Sequence, residues 1–130
     1  MRWVTIFALA YSMNFVWEAL HARLYAYFVG GPITLFVLLY AASMDATVIM
    51  AAIWLVRRIP SPAARPWLLL LFGFAAAVVI EWRALAQNRW AYRAAMPILP
   101  VVNIGLSPAV QLAFTGWLTY QVVSRLYPNR

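Results

Sequence analysis

Four apolar stretches, at about residues 3–24, 32–56, 66–85 and 105–124, dominate this chain. A bilayer core about 30 Å thick is crossed by about 20 helical residues, so each stretch has the length of a membrane-spanning helix. Of the 130 residues, 66% are hydrophobic and 10% are charged. A water-soluble globule of this size buries only about two-thirds of its unfolded surface, which leaves nowhere to hide so much apolar side chain. The expectation is an all-α integral membrane four-helix bundle, a single domain over residues 1–130 without repeats or low-complexity tracts.

The connections support that division. Gly30-Gly31-Pro32 makes a tight first turn, and Pro32 suits the first turn of a helix. Residues 57–65 form a proline-broken second connection, and the third, about 86–104, contains Met96-Pro97-Ile98-Leu99-Pro100. The first stretch lacks a small-residue cleavage site after a short apolar core and reads as a retained helix. All ten basic residues are arginine. Arg2, Arg57, Arg58, Arg65, Arg125 and Arg130 fall on one side of the bundle, and Arg23, Arg83, Arg89 and Arg93 on the other. The positive-inside rule then places both termini in the cytoplasm of a multi-pass protein, here of a bacterial inner membrane. A net charge of +7 would point to nucleic acid in a soluble protein. Arginines flanking apolar spans fit phosphate headgroups instead, and no nucleic-acid partner is expected.

Against this background the acids stand out. Glu18, Asp45 and Glu81 are the chain's three carboxylates, and all lie inside apolar stretches. Insertion scales charge roughly 2.5–3.5 kcal/mol for a carboxylate at the centre of a spanning helix, so such groups face a protein interior. In the first stretch Asn14, Glu18, His21 and Tyr25 follow one another at helical spacing and share a face. At about 1.5 Å per residue Glu18 lies about 8–10 Å below the outer end, His21 about 5 Å, Glu81 about 6–8 Å and Gln111 about 9 Å. Asp45 falls deeper, at or below the level of Asn14. The expected site is therefore one polar pocket in the outer leaflet, with Asp45 and Asn14 beneath it. The segment 89–100 would be its lid, with Arg89, Trp90 and Tyr92 as contacts.

Several chemistries are open to such a pocket. Two acids in different surroundings can divide into proton donor and acceptor, and a dry, aromatic-lined bundle suits a lipid or isoprenoid double bond. Glu18, Glu81 and Asp45 are then the candidate catalytic groups, with Asn14, His21, Tyr25, Arg89, Trp90, Tyr92 and Gln111 contacting the substrate. Glu18-x-x-His21 has the spacing of the pairs in binuclear metal bundles, but one pair falls short of such a site. A single metal ion on Glu18, His21 and Glu81 is the weaker alternative. Proton or ion handling by an oligomer is another. No cofactor is expected, although the pocket would accept a lipid, a pigment or one metal ion. Arginine pairs from Arg83 or Arg89 to Glu18 or Glu81 would instead merely fix helix register. Small-residue runs such as Ala75-Ala76-Ala77 would likewise suit a non-catalytic subunit of a larger membrane complex, or a homo-oligomer. With no cysteine, thiolate chemistry and disulfides are excluded. G-x-S-x-G and the nucleotide-binding glycine motifs are missing, and Gly105-Leu106-Ser107-Pro108 does not read as a nucleophile setting.

Asn14-Phe15-x-Trp17-Glu18-x-x-His21-x-x-Leu24-Tyr25 and Glu81-Trp82 resemble motifs in a group of small bacterial four-helix membrane proteins. Arg89-Trp90-x-Tyr92-x-x-x-Met96-Pro97-x-x-Pro100 and Gly105-Leu106-x-Pro108-x-x-Gln111 extend the resemblance over most of the chain. The resemblance implies the architecture and singles out these residues, and it implies no reaction. A looser likeness, in size and intramembrane acids, is to small-subunit lycopene cyclases, whose proline-leucine-glutamate-glutamate signature this chain lacks.

Overall fold

A computed structural model describes residues 2–128; Arg130, counted above for orientation, lies outside them. In chain order the elements are α1 (Arg2–His21), a 3-10 turn (Ala22–Leu24), β1 (Tyr25–Phe28), α2 (Leu35–Val56), α3 (Arg65–Ala86), β2 (Trp90–Tyr92) and α4 (Leu106–Leu126). The architecture is the expected helical bundle with a two-stranded ribbon added at one end. Thr5 and Tyr127 hydroxyls meet at 3.1 Å, and Arg57 lies over the Trp3 ring, so both chain ends share one end of the bundle with the α2–α3 connection. The ribbon closes the opposite end.

Arg2–Leu24, Leu35–Val56 and Arg65–Ala86 are long and apolar enough to cross a membrane. α4 has comparable length, 21 residues, but is more polar: Gln111, Thr115 and Thr119 are all buried. The bundle is inside out by the standard of a soluble protein. Phe36 and Trp67 are 76% and 73% exposed, while Asn14 is fully buried. Buried positions recur at helical spacing: Ile6, Ala10 and Asn14 on α1; Ala42, Ala46, Ile49 and Ile53 on α2; Leu69, Gly73, Ala77 and Glu81 on α3. Ala10, Ala42, Ala46, Gly73 and Ala77 lie on these faces, and such small side chains let helix backbones approach closely. The tightest approach is α3 on α4, where a Cβ on Gly73 would stand 2.6 Å from the Ala113 backbone.

α1 ends at His21, three residues before the expected boundary, because the chain tightens and then extends over Tyr25-Ala26-Tyr27-Phe28, a β-favouring run. β1 pairs antiparallel with β2, Tyr25 opposite Tyr92 and Phe28 opposite Trp90. Val29 and Gly30 both take positive φ, 48° and 76°, and turn the chain through reciprocal Phe28–Gly31 hydrogen bonds of 3.0 and 3.1 Å. α2 therefore begins at Leu35 and not Pro32, with the Thr34 hydroxyl accepting from the Val37 N–H. Beyond β2 the chain folds back on itself: Leu106 N–H donates to the Pro97 carbonyl and Leu99 N–H to Ile104. The Trp82 indole donates to the Val102 carbonyl at 2.6 Å and straps this loop to α3.

Candidate functional site

Gln111 is the hub of the interior. One helical turn into α4, its Nε2 lies 2.9 Å from Glu18 Oε1, 2.9 Å from Asp45 Oδ2 and 3.0 Å from Asn14 Oδ1. An amide nitrogen carries two hydrogens, so three acceptors compete for them. Asp45 is thus level with Glu18 and not beneath it. The depth count misplaces it because α2 starts at Leu35, later than the expected Pro32, which leaves Asp45 nearer the helix start. Asn14 fixes the hub from below, donating to the Ala10 carbonyl at 2.7 Å and to Thr115 Oγ1 at 3.2 Å.

On its other side Glu18 continues outward. Its Oε2 is 3.0 Å from His21 Nε2, and His21 Nδ1 is 2.7 Å from Ser107 Oγ, which also accepts from the Trp17 indole at 3.0 Å. A hydrogen-bonded chain Ser107–His21–Glu18–Gln111–Asp45 results. Sequence reasoning met Ser107 only as a rejected nucleophile and Trp17 only within a motif, and placed neither in the site. The available signal was spacing: Ser107 precedes Gln111 by four residues and Trp17 precedes His21 by four, so each shares its partner's helix face.

Glu81 occupies a second niche, built by the ribbon. Its Oε2 accepts from Tyr92 Oη at 2.5 Å, Trp90 Nε1 at 3.2 Å and Tyr25 Oη at 3.4 Å. The pairing of Tyr25 with Tyr92 brings their rings to 5.4 Å, and Phe28 stacks on Trp90 at 5.9 Å. Burial, then the neighbouring Glu81, pushes the Tyr25 and Tyr92 hydroxyls well above the ordinary tyrosine range, so both are donors. The expected arginine partners are not there: among the described residues the only ion-pair contact is His21 with Glu18, 3.0 Å. Arg93 and Arg23 bond backbone carbonyls of Tyr25 and Leu20.

The two niches face one cavity of about 400 Å³. That volume lies within the range of small-molecule sites, roughly 300–1,000 Å³. Glu18, Asp45, Glu81 and Gln111 give it a polar floor, and Val37, Leu38, Met44 and Ile80 give it apolar walls. Tyr25, Trp90, Arg89 and Arg83 line it toward the ribbon. Of the residues singled out from sequence, Asn14, His21 and Tyr92 stand one hydrogen bond behind this lining. Among the described residues no three His, Asp or Glu side chains converge as a metal-ligand set. Comparison with protein-family models, curated proteins and solved structures finds no match for this chain.

Proposed function

We propose that the chain spans a bacterial inner membrane four times, with both ends cytoplasmic, and binds a hydrophobic lipid or isoprenoid molecule in this cavity. It acts there by acid–base chemistry, isomerising or cyclising the bound molecule. The observation that carries the reading is the convergence of three carboxyl groups, from three helices, on one cavity, with no guanidinium paired to them among the described residues. Buried acids kept for packing alone are paired with arginine; these line the cavity held only by neutral donors and by His21 on Glu18. Glu18 and Asp45, sharing one amide nitrogen, suit a pair in which one carboxyl holds a proton and the other does not. Its O–H protonates an alkene carbon, forming a C–H bond and an adjacent cation. Glu81, encircled by three neutral donors, takes the proton released from the neighbouring carbon as the double bond re-forms. To reset the site Glu81 releases that proton to water, and Glu18 regains one from water relayed by Ser107 and His21.

The test is proton exchange. Protein in lipid nanodiscs is incubated in D2O with geranylgeraniol, and deuterium in the recovered prenyl chain is read by mass spectrometry. Wild-type protein should introduce deuterium at vinylic or allylic carbons. Glu18→Gln and Glu81→Gln should each slow this at least about 100-fold, the scale of a lost general acid or base. Unlabelled prenol that is nevertheless bound would leave a carrier and remove the enzyme. Absence of both binding and labelling, with the same variants losing a co-purifying partner, would favour the accessory-subunit role.

A further inference from the structure

A second, almost wholly apolar hollow of about 310 Å³ adjoins the cavity between α2, α3 and α4, and Val48 and Leu112 border both. Ala52, Gly73, Ala76 and Gly116 keep this seam shallow-walled by contributing almost no side chain. From Val37 to Leu55 the combined groove runs roughly 27 Å at about 1.5 Å rise per residue. That exceeds one leaflet's share, about 15 Å, of the hydrocarbon core. Such a groove fits one long, flexible hydrocarbon chain lying along the helices.

At the opposite end the rim is cationic. Arg83 and Arg89 line the cavity, are exposed, and make no side-chain hydrogen bond or ion pair among the described residues. Arg23 and Arg93, nearby, are committed to backbone carbonyls. Two uncommitted guanidinium groups at the mouth of a lipid-sized slot complement an anionic head. The acids below oppose the same charge, so a head group is held at the rim and excluded from the floor. Arg83 follows Glu81 by two residues, about 3 Å of helix rise, and Arg89 adjoins the Trp90 that donates to Glu81. What lies against the carboxyls is therefore the part of the ligand immediately next to its head.

We infer that the occupant is a polyprenyl phosphate, phosphate on Arg83 and Arg89 and chain threaded along the α2–α3 seam. This rests on the cavity being a binding site, as proposed above. The choice of prenyl over acyl follows from position. A prenyl phosphate carries its first electron-rich double bond beside the phosphate-bearing carbon, where the acids are, whereas an unsaturated acyl chain carries its double bond far down the tail.

The experiment is competition against tritiated geranylgeraniol on the full chain in nanodiscs. Geranylgeranyl phosphate should bind at least about tenfold more tightly than the alcohol, the scale of a charge-assisted contact pair. Arg83→Gln with Arg89→Gln should erase that preference while the alcohol still binds, and an unfolding midpoint close to the parent's reports that the variant is folded. Ala76→Phe should weaken geranylgeranyl phosphate and spare geranyl phosphate, because it narrows only the distal seam. Displacement by millimolar inorganic phosphate alone, or a preference that survives the double arginine variant, would overturn the inference. Equal competition by oleoyl lysophosphatidate would overturn its prenyl part. Alcohol bound without any preference for phosphate sinks this inference alone, whereas neither compound binding sinks the reading of the cavity as well.

Discussion

At the scale of single residues, the interior is organised by a shortage of donors. Gln111 offers two amide hydrogens to Asn14, Glu18 and Asp45, and the described residues supply no arginine to relieve it. Replacing Gln111 with Leu keeps the volume and removes the shared donor. The change should cost about 1–3 kcal/mol, the penalty for buried polar groups left unsatisfied, and lower the thermal unfolding midpoint in detergent. Gln111→Glu, which adds a third carboxyl beside Glu18 and Asp45, should be worse. An unchanged midpoint for Gln111→Leu would mean that water already serves these acceptors. Most of this cluster is legible in the sequence, because Asn14, Glu18 and His21 share a helical face and acids in apolar stretches advertise themselves. What spacing cannot convey is the partner. Glu81 might as well have met Arg83; it meets Tyr25 and Tyr92, brought from opposite halves of the chain.

At the scale of elements, the helices follow from apolar length and the ribbon does not. β1 and β2 have four and three residues, too few for a periodic signal, and their pairing joins positions more than sixty residues apart. The ribbon nonetheless supplies every hydrogen bond that Glu81 receives. Opposite it, α3 is fixed by contact with α4 at Gly73. Even one added methyl would press on Ala113 backbone, which cannot rotate away as a side chain would. Gly73→Ala should destabilise the bundle by about 1–3 kcal/mol, the range for overpacking, and Gly73→Leu should prevent its assembly. Thermal unfolding of the purified variants checks both. Because Gly73 also borders the α2–α3 seam, Gly73→Ala should weaken long-chain ligands along with the fold. A variant as stable as the parent would show that the two helices can separate by a few tenths of an ångström without loss.

At the scale of the whole molecule, the arrangement of ends decides what the cavity can meet. The chain ends and the α2–α3 connection share one end of the bundle, and the ribbon, the arginine rim and the acids share the other. Arginine counting assigns the first end to the cytoplasm by six against four, although one of the six, Arg130, lies outside the described residues. Of the four on the ribbon side, Arg93 is engaged in holding β1, so its presence there has a structural cause that the positive-inside rule does not weigh. Topology is therefore best probed at Val101, 95% exposed at the tip of the loop after β2, and at Ser61, exposed in the α2–α3 connection. The chain has no native cysteine to confuse the result. In intact cells Val101→Cys should react with a membrane-impermeant maleimide, and Ser61→Cys only after permeabilisation. The inverse pattern would turn the bundle over and bring the cavity to the cytoplasmic leaflet. There the rim would face a negatively charged lipid surface, whose many anionic heads would compete for Arg83 and Arg89. On the outer side a single anionic chain meets fewer rivals, so the labelling result also bears on how selective the rim needs to be.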